Sequence, residues 1–418
     1  MEKMIIHGGA PLRGTVTISG SKNATLPIMM ASLLTSEPLH LTNVPRLRDV
    51  KTAMDLLTQL GVHARWTDDH RVELHAANVT SHEASYELVK TMRASFVVLG
   101  PLLARTGRAR VSTPGGCAIG ARPVNLHIHG IRALGSRIQF RHGYVEAHAA
   151  KLTGGRIWLD SPSVGATENI LMAAVTARGR TVIENAAREP ELQDLARVLI
   201  KMGAKISGAG THVMEVEGVD KLHGAEHEVI PDRIEAGSMM AAAAITGGDV
   251  TLANAPIEHL DAVASKLREA GVTVEAGYKG VRVARNNGLK PVELRTLPYP
   301  GFPTDLQAQM MAMLTQADGS SVITETIFEN RFMHAQELAR MGADILMKGP
   351  TAVVRGPSKL SGAPVMATDL RASMGLIIAG LAAEHTTELS RVYHLDRGYE
   401  ALDAKLAQLG ARVERAQE

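Results

Sequence analysis

The chain repeats one pattern six times at intervals of about seventy residues. In each copy an amphipathic segment ends at a glycine, and residues that alternate between apolar and polar follow it. These glycines are Gly61, Gly135, Gly203, Gly271, Gly342 and Gly410, and neighbouring ones are 68 to 74 residues apart. The pattern predicts a helix, a glycine turn that ends it, and a strand. A period this regular indicates a fold of six similar units.

A second and more apolar segment precedes the amphipathic one in every copy. These segments are rich in Ala, Met and Gly, as in "RIEAGSMMAAAAI" and "TDLQAQMMAMLTQA". Such a composition predicts interior helices that approach one another closely, with the strands outside them. A length of 418 residues suits two lobes of three units each, with a changeover between residues 218 and 233. A single closed ring of six units is the alternative.

Charged and polar residues stand at the predicted starts of the interior helices. A helix N-terminus exposes unpaired N–H groups and a partial positive charge, so several starts that converge make a site for anions. For Asp232 and Asp369 the alternative is simple helix capping. Capping does not explain Lys22 or Arg93, because a cation at a helix N-terminus is unfavourable. We therefore expect a bound anion to compensate these two cations.

The second unit contains an insertion, "TPGGCAIGARPVNLHIHG", with the only cysteine of the chain. Three glycines in this stretch let the loop adopt conformations closed to other residues and move as a lid. The Cys117 thiol can donate a proton or act as a nucleophile, and a cation such as Arg122 favours its thiolate form. Burial as a small apolar residue is the alternative role. Glycines before Cys117 and an arginine after it argue against that role.

Composition excludes several classes of function. Lys and Arg number 45 against 43 Asp and Glu, and aromatic residues make up 3% of the chain, so we expect no nucleic-acid partner. His127 and His129 lack further residues at ligand spacing, and we expect no metal and no cofactor. A lone cysteine, no signal peptide and no apolar run of about 20 residues together predict a cytoplasmic protein without a membrane span.

Eight motifs that occur in order resemble those of the UDP-N-acetylglucosamine 1-carboxyvinyltransferases, in the enolpyruvyl transferase family. They are "SGSKNATLP" at 19–27, "PGGCAIGARPV" at 114–124, "SVGATENI" at 163–170, "NAAREPE" at 185–191, "FPTDLQAQ" at 302–309, "FENRFMH" at 328–334, "MATDLRAS" at 366–373 and "DRGYE" at 396–400. The resemblance covers nearly the whole chain. It implies an α/β (α+β) inside-out barrel fold, with residues 22–229 as the first lobe and residues 1–21 and 230–418 as the second.

The resemblance also implies a reaction. The enolpyruvyl group of phosphoenolpyruvate is transferred to the 3-hydroxyl of UDP-N-acetylglucosamine, and phosphate is released. This is the first committed step of peptidoglycan biosynthesis, on which cell shape and division depend. Cys117 is then the proton donor, and Asp305 is the base. The Cys117 thiol can be alkylated by fosfomycin-like epoxides or trapped as a pyruvate adduct. Lys22, Arg122 and Arg397 hold phosphoenolpyruvate.

Further residues are carried over to the nucleotide sugar and to supporting positions. For the nucleotide sugar these are Asn23, Arg93, Arg122, Pro123, Val124, Asn125, Leu126, Ser161, Pro162, Ser163, Val164, Asp305 and Ile327. Supporting charges are Arg331, Asp369 and Arg371, which are expected to tie the lobes together on closure, and Glu189, which is expected to hold the lid. Asn125 stands where many relatives have Asp, and Ser161 where some have Lys. We expect these two departures to weaken nucleotide binding without changing the chemistry.

Two rival interpretations remain. The sister transferase that acts on shikimate 3-phosphate shares the fold and phosphoenolpyruvate, but it lacks the cysteine loop. A catalytically silent paralogue that binds a nucleotide sugar is the alternative from another class. Intact Lys22, Cys117, Asp305 and Arg397 argue against a silent protein.

Overall fold

A computed structural model describes residues 2–113, 124–277 and 280–417. Within these ranges lie 24 strands and 13 α-helices, joined by short 3₁₀-helices and loops. None of the helices in these ranges is both long and apolar enough to cross a bilayer.

The strands are mostly three to six residues long. In chain order they are β1 (Glu2–His7), β2 (Arg13–Thr17), β3 (Leu39–Thr42), β4 (His63–Asp68), β5 (Arg71–His75), β6 (Glu83–Ala84), β7 (Arg108–Ser112), β8 (Arg137–Arg141), β9 (Tyr144–His148), β10 (Arg156–Trp158), β11 (Arg180–Glu184), β12 (Lys205–Ser207), β13 (Val213–Glu217), β14 (Ala225–Glu228), β15 (Asp249–Ala253), β16 (Thr273–Gly277), β17 (Gly280–Ala284), β18 (Glu293–Arg295), β19 (Gly319–Thr324), β20 (Asp344–Lys348), β21 (Thr351–Gly356), β22 (Pro364–Met366), β23 (Thr386–Ser390) and β24 (Arg412–Gln417).

The helices alternate between interior and amphipathic ones, as the sequence pattern predicts, with one extra short helix. They are α1 (Lys22–Ala31), α2 (Arg48–Gln59), α3 (Tyr86–Val89), α4 (Leu99–Thr106), α5 (Asn125–Ala133), α6 (Val164–Ala174), α7 (Pro190–Lys201), α8 (Arg233–Ile245), α9 (Asp261–Glu269), α10 (Gln307–Leu314), α11 (His334–Arg340), α12 (Leu370–Ala382) and α13 (Leu402–Gln408). The 3₁₀-helices Arg93–Val98 and Thr304–Leu306 lead directly into α4 and α10.

The strands of the described ranges form six sheets of four strands, and all six share one topology. Each sheet starts with a parallel pair, to which two further strands are added in antiparallel fashion. The orders are β14-β3-β5-β4, β6-β7-β9-β8, β10-β11-β13-β12, β2-β15-β17-β16, β18-β19-β21-β20 and β22-β23-β1-β24. The six-unit repeat is therefore confirmed at the level of hydrogen bonding.

The repeat glycines end the amphipathic helices in the predicted way. All six have positive φ, between 88° and 102°. This left-handed conformation is open to glycine without steric cost, and it terminates a helix by satisfying its last carbonyls. The turn redirects the chain from each amphipathic helix into the following strand.

The described residues divide into two compact units, each with its own hydrophobic core. One unit comprises residues 20–113 and 124–230, and the other residues 2–19 and 231–417. Three sheets belong to each unit. The assignment of residues 22–229 and of 1–21 with 230–418 as the two functional lobes stays a prediction.

The interior helices are largely buried. Every residue of α8 and α10 is buried, including Arg233 and Gln309. A β-carbon placed on Gly375 of α12 would lie 2.9 Å from the carbonyl oxygen of Ala308 in α10, so only glycine permits this approach. The close packing predicted from the Ala, Met and Gly content is confirmed.

Sequence-distant strands complete three of the sheets, one of them by the parallel pairing of β2 with β15. The N-terminal strand β1 lies between β23 and β24, and β14 pairs in parallel with β3 near the start of the chain. The chain passes from one unit to the other between Ser19 and Gly20 and returns between Ile230 and Pro231. The starts of α1 and α8, which carry Lys22 and Asp232, therefore follow directly on these two crossings.

Candidate active site

The predicted site residues fall into one group in each unit. Lys22, Asn23, Arg93, Val124–Leu126, Ser161–Val164 and Glu189 lie in the unit of residues 20–230. Asp305, Ile327, Arg331, Asp369, Arg371 and Arg397 lie in the other. Cys117, Arg122 and Pro123 belong to the stretch 114–123, which is outside the described residues.

Lys22 is the first residue of α1, with Ser21 as the N-cap whose side chain accepts a hydrogen bond from the Ala24 amide. Its ammonium nitrogen lies 3.3 Å from Oδ2 of Asp49, which is in the first turn of α2. Both residues are buried, with exposed fractions of 8% and 2%. A protein carboxylate is thus one partner of the lysine, and the expected compensation by a bound anion stays a prediction. Asn23 follows, half-buried.

His127 in α5 lies where three of the predicted segments meet. Its Nδ1 is 2.9 Å from Nδ2 of Asn169 in α6, and the same amide group donates to the Phe96 carbonyl in the 3₁₀-helix that Arg93 begins. The His127 and Phe96 rings contact edge to face, with centroids 5.1 Å apart. The starts of α5, of α6 and of the Arg93 helix are thereby held together around one imidazole.

Burial and the positive charge of Arg93 lower the pKa of His127 to about 3. The neutral ring is therefore part of the folded unit at neutral pH. Because the unfolded chain takes up the proton first, near pH 6.5, the folded state loses stability as the pH falls from there toward about 3.

We expect His127→Gln to weaken this pH dependence. Between neutral pH and about pH 5 the wild-type chain should lose on the order of 2 kcal/mol more unfolding free energy than the variant, which carries no titrating ring at this position. Urea unfolding at the two pH values measures the difference. His129→Gln is the matched control, since His129 is exposed on the same helix. An equal pH dependence in all three proteins would contradict the assignment.

The remaining nucleotide-sugar residues of this unit stand at the starts of α5 and α6. Ser163 caps α6, accepting a hydrogen bond from the Ala166 amide at 3.4 Å. The helix begins at Val164, because this cap precedes the apolar run. Asn125, Ser161 and Pro162 are exposed, while Val124, Leu126, Ser163 and Val164 are half-buried.

Glu189 occupies the N-cap position of α7, and its Oε2 accepts a hydrogen bond from the Arg188 amide at 3.0 Å. Glu168 lies nearby and is buried. Burial, together with the negative charges of Glu191 and Glu189, holds the Glu168 pKa well above its usual range. Acidic groups thus collect beside the starts of α6 and α7. The expected role of Glu189 in holding the lid stays a prediction.

In the other unit, two arginines donate hydrogen bonds to the Asp305 carboxylate. Its Oδ1 accepts a hydrogen bond from Nη2 of Arg331 at 2.7 Å, and its Oδ2 one from Nε of Arg371 at 3.3 Å. The Arg331 and Arg371 side chains are 7% and 3% exposed, whereas that of Asp305 is 26% exposed. A carboxylate has about four lone-pair sites, so this arrangement fixes the group and leaves it able to accept a further hydrogen bond.

Glu325 organises the loop that carries Ile327. One of its carboxylate oxygens accepts hydrogen bonds from the amides of Ile327 and Phe328 and from the Thr296 hydroxyl. The other accepts from the hydroxyl of Thr304, which in turn accepts from Nη1 of Arg331. Ile327 and Asp305 are thus positioned by one connected network around a buried acid.

Asp232 and Asp369 cap their helices. The Asp369 carboxylate accepts hydrogen bonds from the amides of Arg371 and Ala372, and Asp232 makes the equivalent pair at α8. The capping interpretation is therefore confirmed for both. The further role of Asp369, Arg331 and Arg371 in tying the lobes together stays a prediction. Arg397 is the last residue of the 3₁₀-helix Val392–Arg397 and is half-buried.

Within the residues that the structure describes, no three His, Cys, Asp or Glu side chains are grouped to hold a metal ion. The unit of residues 20–230 contains a buried lysine at a helix N-terminus, and the other unit contains a carboxylate fixed by two buried arginines. Groups of the first kind suit anions, and groups of the second kind suit proton transfer.

The EPSP synthase family model (3-phosphoshikimate 1-carboxyvinyltransferase) matches residues 6–406. A protein of Geotalea uraniireducens named UDP-N-acetylglucosamine 1-carboxyvinyltransferase is 58% identical over 418 residues, all of both chains. A protein of that name from Thermodesulfovibrio yellowstonii is 56% identical over 99% of this chain and 100% of its own. The chain belongs to the UDP-N-acetylglucosamine 1-carboxyvinyltransferase family.

Solved structures of enolpyruvyl transferases are similar to the structure of this chain. The enolpyruvyl transferase NikO from Streptomyces tendae is similar with a TM-score of 0.89 and 27% identity over 99% of both chains. EPSP synthase from Acinetobacter baumannii has a TM-score of 0.78 and 20% identity over the full length of both chains, which bears on the fold alone. The predicted fold class is confirmed.

Three residues that position predicted site residues within their own units were not predicted from the sequence. Asp49 pairs with Lys22, Glu325 organises the Ile327 loop, and Tyr399 lies buried among the interior helices. Asp49 and Tyr399 act on partners that are distant in sequence, and the "DRGYE" motif that contains Tyr399 gives it no role. Glu325 binds its own loop but also the distant Thr296 and Thr304. Gln309 is a polar residue in the apolar segment α10, and such a residue indicates a buried hydrogen-bonding network of the kind found around Tyr399.

Proposed function

We propose that the chain transfers the enolpyruvyl group of phosphoenolpyruvate to the 3-hydroxyl of UDP-N-acetylglucosamine and releases phosphate, the first committed step of peptidoglycan biosynthesis. The single observation that carries this proposal beyond its relatives' names is Asp305 held between Arg331 and Arg371. A fixed, partly exposed carboxylate of this kind can take the proton of an attacking hydroxyl.

The chemistry is an addition followed by an elimination. The Cys117 thiol gives its proton to the methylene carbon of phosphoenolpyruvate, and the sugar oxygen bonds to the neighbouring carbon while Asp305 accepts the hydroxyl proton. In the elimination the Cys117 thiolate takes back one methyl proton, which restores the double bond, and phosphate leaves with the proton held by Asp305. Each step moves a proton to or from a named group, so no cofactor is needed for the balance.

Lys22, Arg122 and Arg397 are the proposed cations for the phosphate and carboxylate of phosphoenolpyruvate. The Lys22–Asp49 pair supports this role, since it places a buried ammonium at a helix N-terminus in a defined orientation. Hydrogen bonds to charged groups contribute roughly 1.5 to 3 kcal/mol each, so several are needed to offset the desolvation of so charged a ligand.

The nucleotide sugar is proposed to contact Asn23, Arg93, Val124–Leu126, Ser161–Val164 and Ile327, with Arg122 and Pro123. Most of these stand at helix starts in the unit of residues 20–230, where exposed N–H groups suit a diphosphate. The exposed positions Asn125 and Ser161 are proposed to weaken nucleotide affinity relative to Asp and Lys. We further propose that the reaction takes place in the cytoplasm, because the mechanism needs Cys117 as a free thiol.

Offering phosphoenolpyruvate with each candidate acceptor tests the proposal. We expect phosphate release with UDP-N-acetylglucosamine and none above background with shikimate 3-phosphate. Release with shikimate 3-phosphate alone would favour the sister transferase. Binding of UDP-N-acetylglucosamine without any phosphate release would favour the silent paralogue.

A further inference from the structure

A buried polar network lies among the interior helices of the unit that carries Asp305 and Arg397. Its members are Ser238 of α8, Gln309 of α10, Arg371 of α12 and Tyr399, with exposed fractions between 0 and 3%. Their neighbours on these helices are mainly Ala, Met, Leu and Ile. Buried polar groups are costly unless they are hydrogen-bonded, so a network at this place needs a reason beyond packing.

The hydrogen-bond directions follow from the geometry. Ser238 donates its only hydroxyl hydrogen to the Ile234 carbonyl at 2.7 Å, so the Tyr399 hydroxyl, 2.9 Å away, donates to Ser238. The Gln309 amide then donates to Tyr399 at 3.1 Å. The tyrosine hydroxyl is thus both donor and acceptor.

The same network reaches Asp305 by two routes. The Gln309 amide also lies 2.9 Å from the backbone carbonyl oxygen of Asp305. The Arg371 guanidinium carbon lies 5.4 Å from the centre of the Tyr399 ring, at cation–π distance, while its Nε holds the Asp305 carboxylate. Tyr399 therefore contacts two groups that hydrogen-bond to Asp305, Gln309 and Arg371.

Tyr399 is also rigidly connected to Arg397. The amides of Gly398 and Tyr399 both donate to the Leu395 carbonyl, at 3.0 and 3.1 Å, which makes residues 395–399 one tight turn. A β-carbon on Gly398 would lie 2.8 Å from the Leu370 side chain, so the turn is packed against α12. Anchoring the Tyr399 ring therefore anchors the backbone of Arg397.

We propose that Tyr399 is a positioning residue that ties the Arg397 segment to the Asp305 segment through Gln309 and Arg371. It touches no substrate. Its hydroxyl keeps the proposed phosphoenolpyruvate cation and the proposed base at a fixed separation. The inference rests on the proposed function and adds to it a role for Tyr399, which lies in the "DRGYE" motif but receives no role from the resemblance.

Tyr399→Phe removes one oxygen and keeps the ring. We expect kcat/KM for phosphoenolpyruvate to fall about tenfold, the effect of one lost buried hydrogen bond on transition-state geometry. The KM for UDP-N-acetylglucosamine should change less than the KM for phosphoenolpyruvate, since most of its proposed contacts lie in the unit of residues 20–230. Tyr393→Phe is the matched control, because Tyr393 is on the same segment but 37% exposed.

Gln309→Met tests the network from the other side. We expect a similar loss of kcat/KM for phosphoenolpyruvate. The double variant with Tyr399→Phe should be no less active than the poorer single variant, because both substitutions remove the same Gln309–Tyr399 hydrogen bond. Thermal unfolding of all variants identifies a purely structural role, which would lower the melting temperature while leaving kcat/KM at low temperature unchanged.

The outcomes separate the two proposals. If the wild-type chain and Tyr393→Phe release phosphate while Tyr399→Phe matches them within about twofold, the positioning role is wrong and the proposed function stands. If the wild-type chain releases no phosphate with UDP-N-acetylglucosamine, the proposed function is wrong and the positioning role falls with it.

Discussion

Asp305→Asn should lower kcat by a factor between about one hundred and ten thousand, the usual contribution of a general base. The amide keeps the size of the carboxylate and can still accept from Arg331 at Oδ1. It can no longer take a proton, and its NH₂ group faces the Nε of Arg371, which also donates. Phosphate release under saturating substrates measures the loss.

Stability must be measured alongside the activity of this variant. Two arginine side chains, 7% and 3% exposed, lose a charged partner, and each broken interaction costs roughly 1 to 3 kcal/mol. Asp344→Asn is the control, because Asp344 is an exposed aspartate of the same unit, 3.5 Å from Arg355. A folded Asp305→Asn variant with kcat within about tenfold of the wild type would remove Asp305 as the base.

Replacing Cys117 should have an effect of similar size with a different chemical signature. We expect Cys117→Ala to be nearly inactive, because it removes the proposed proton donor. Cys117→Asp should retain some turnover, since a carboxylic acid can also donate a proton, and it should resist alkylation by a fosfomycin-like epoxide. Phosphate release with and without the epoxide compares the three proteins.

The single cysteine makes this experiment easy to interpret. Residue 117 carries the only thiol in the chain, so a thiol adduct of the intact protein found by mass spectrometry must lie there. We expect one epoxide equivalent on the wild-type chain and none on Cys117→Asp. Full activity of Cys117→Ala, or an epoxide adduct on Cys117→Asp, would contradict the proposed donor.

Titration of the Cys117 thiol tests how a proton donor can stay protonated in a loop that also contains Arg122. Nearby cations favour the thiolate, whereas the proposed mechanism needs the thiol. We expect bound phosphoenolpyruvate to offset those cations and raise the Cys117 pKa. Identical titration curves with and without phosphoenolpyruvate would exclude this explanation while leaving the role of Cys117 to the substitution experiment.

Much of the fold could be predicted because it is encoded over short distances along the chain. The repeat glycines at the helix ends, the N-caps Asp232 and Asp369, and the contrast between interior and amphipathic helices all depend on residues three or four positions apart. The motifs around Lys22 and Asp305 likewise placed them at helix starts. These features need only local sequence, and the structure contains them.

The tertiary structure decided which distant segments became partners. Strand β1 joins β23 and β24 at the other end of the chain, and β14 joins β3, although nothing in these short strands distinguishes their partners. Tertiary folding likewise brings Asp49 to Lys22 and Tyr399 to Arg371. Local periodicity sets which face of an element is buried, but the burial and hydrogen-bonding of polar groups depend on which elements pack together, and that is decided only when the chain folds.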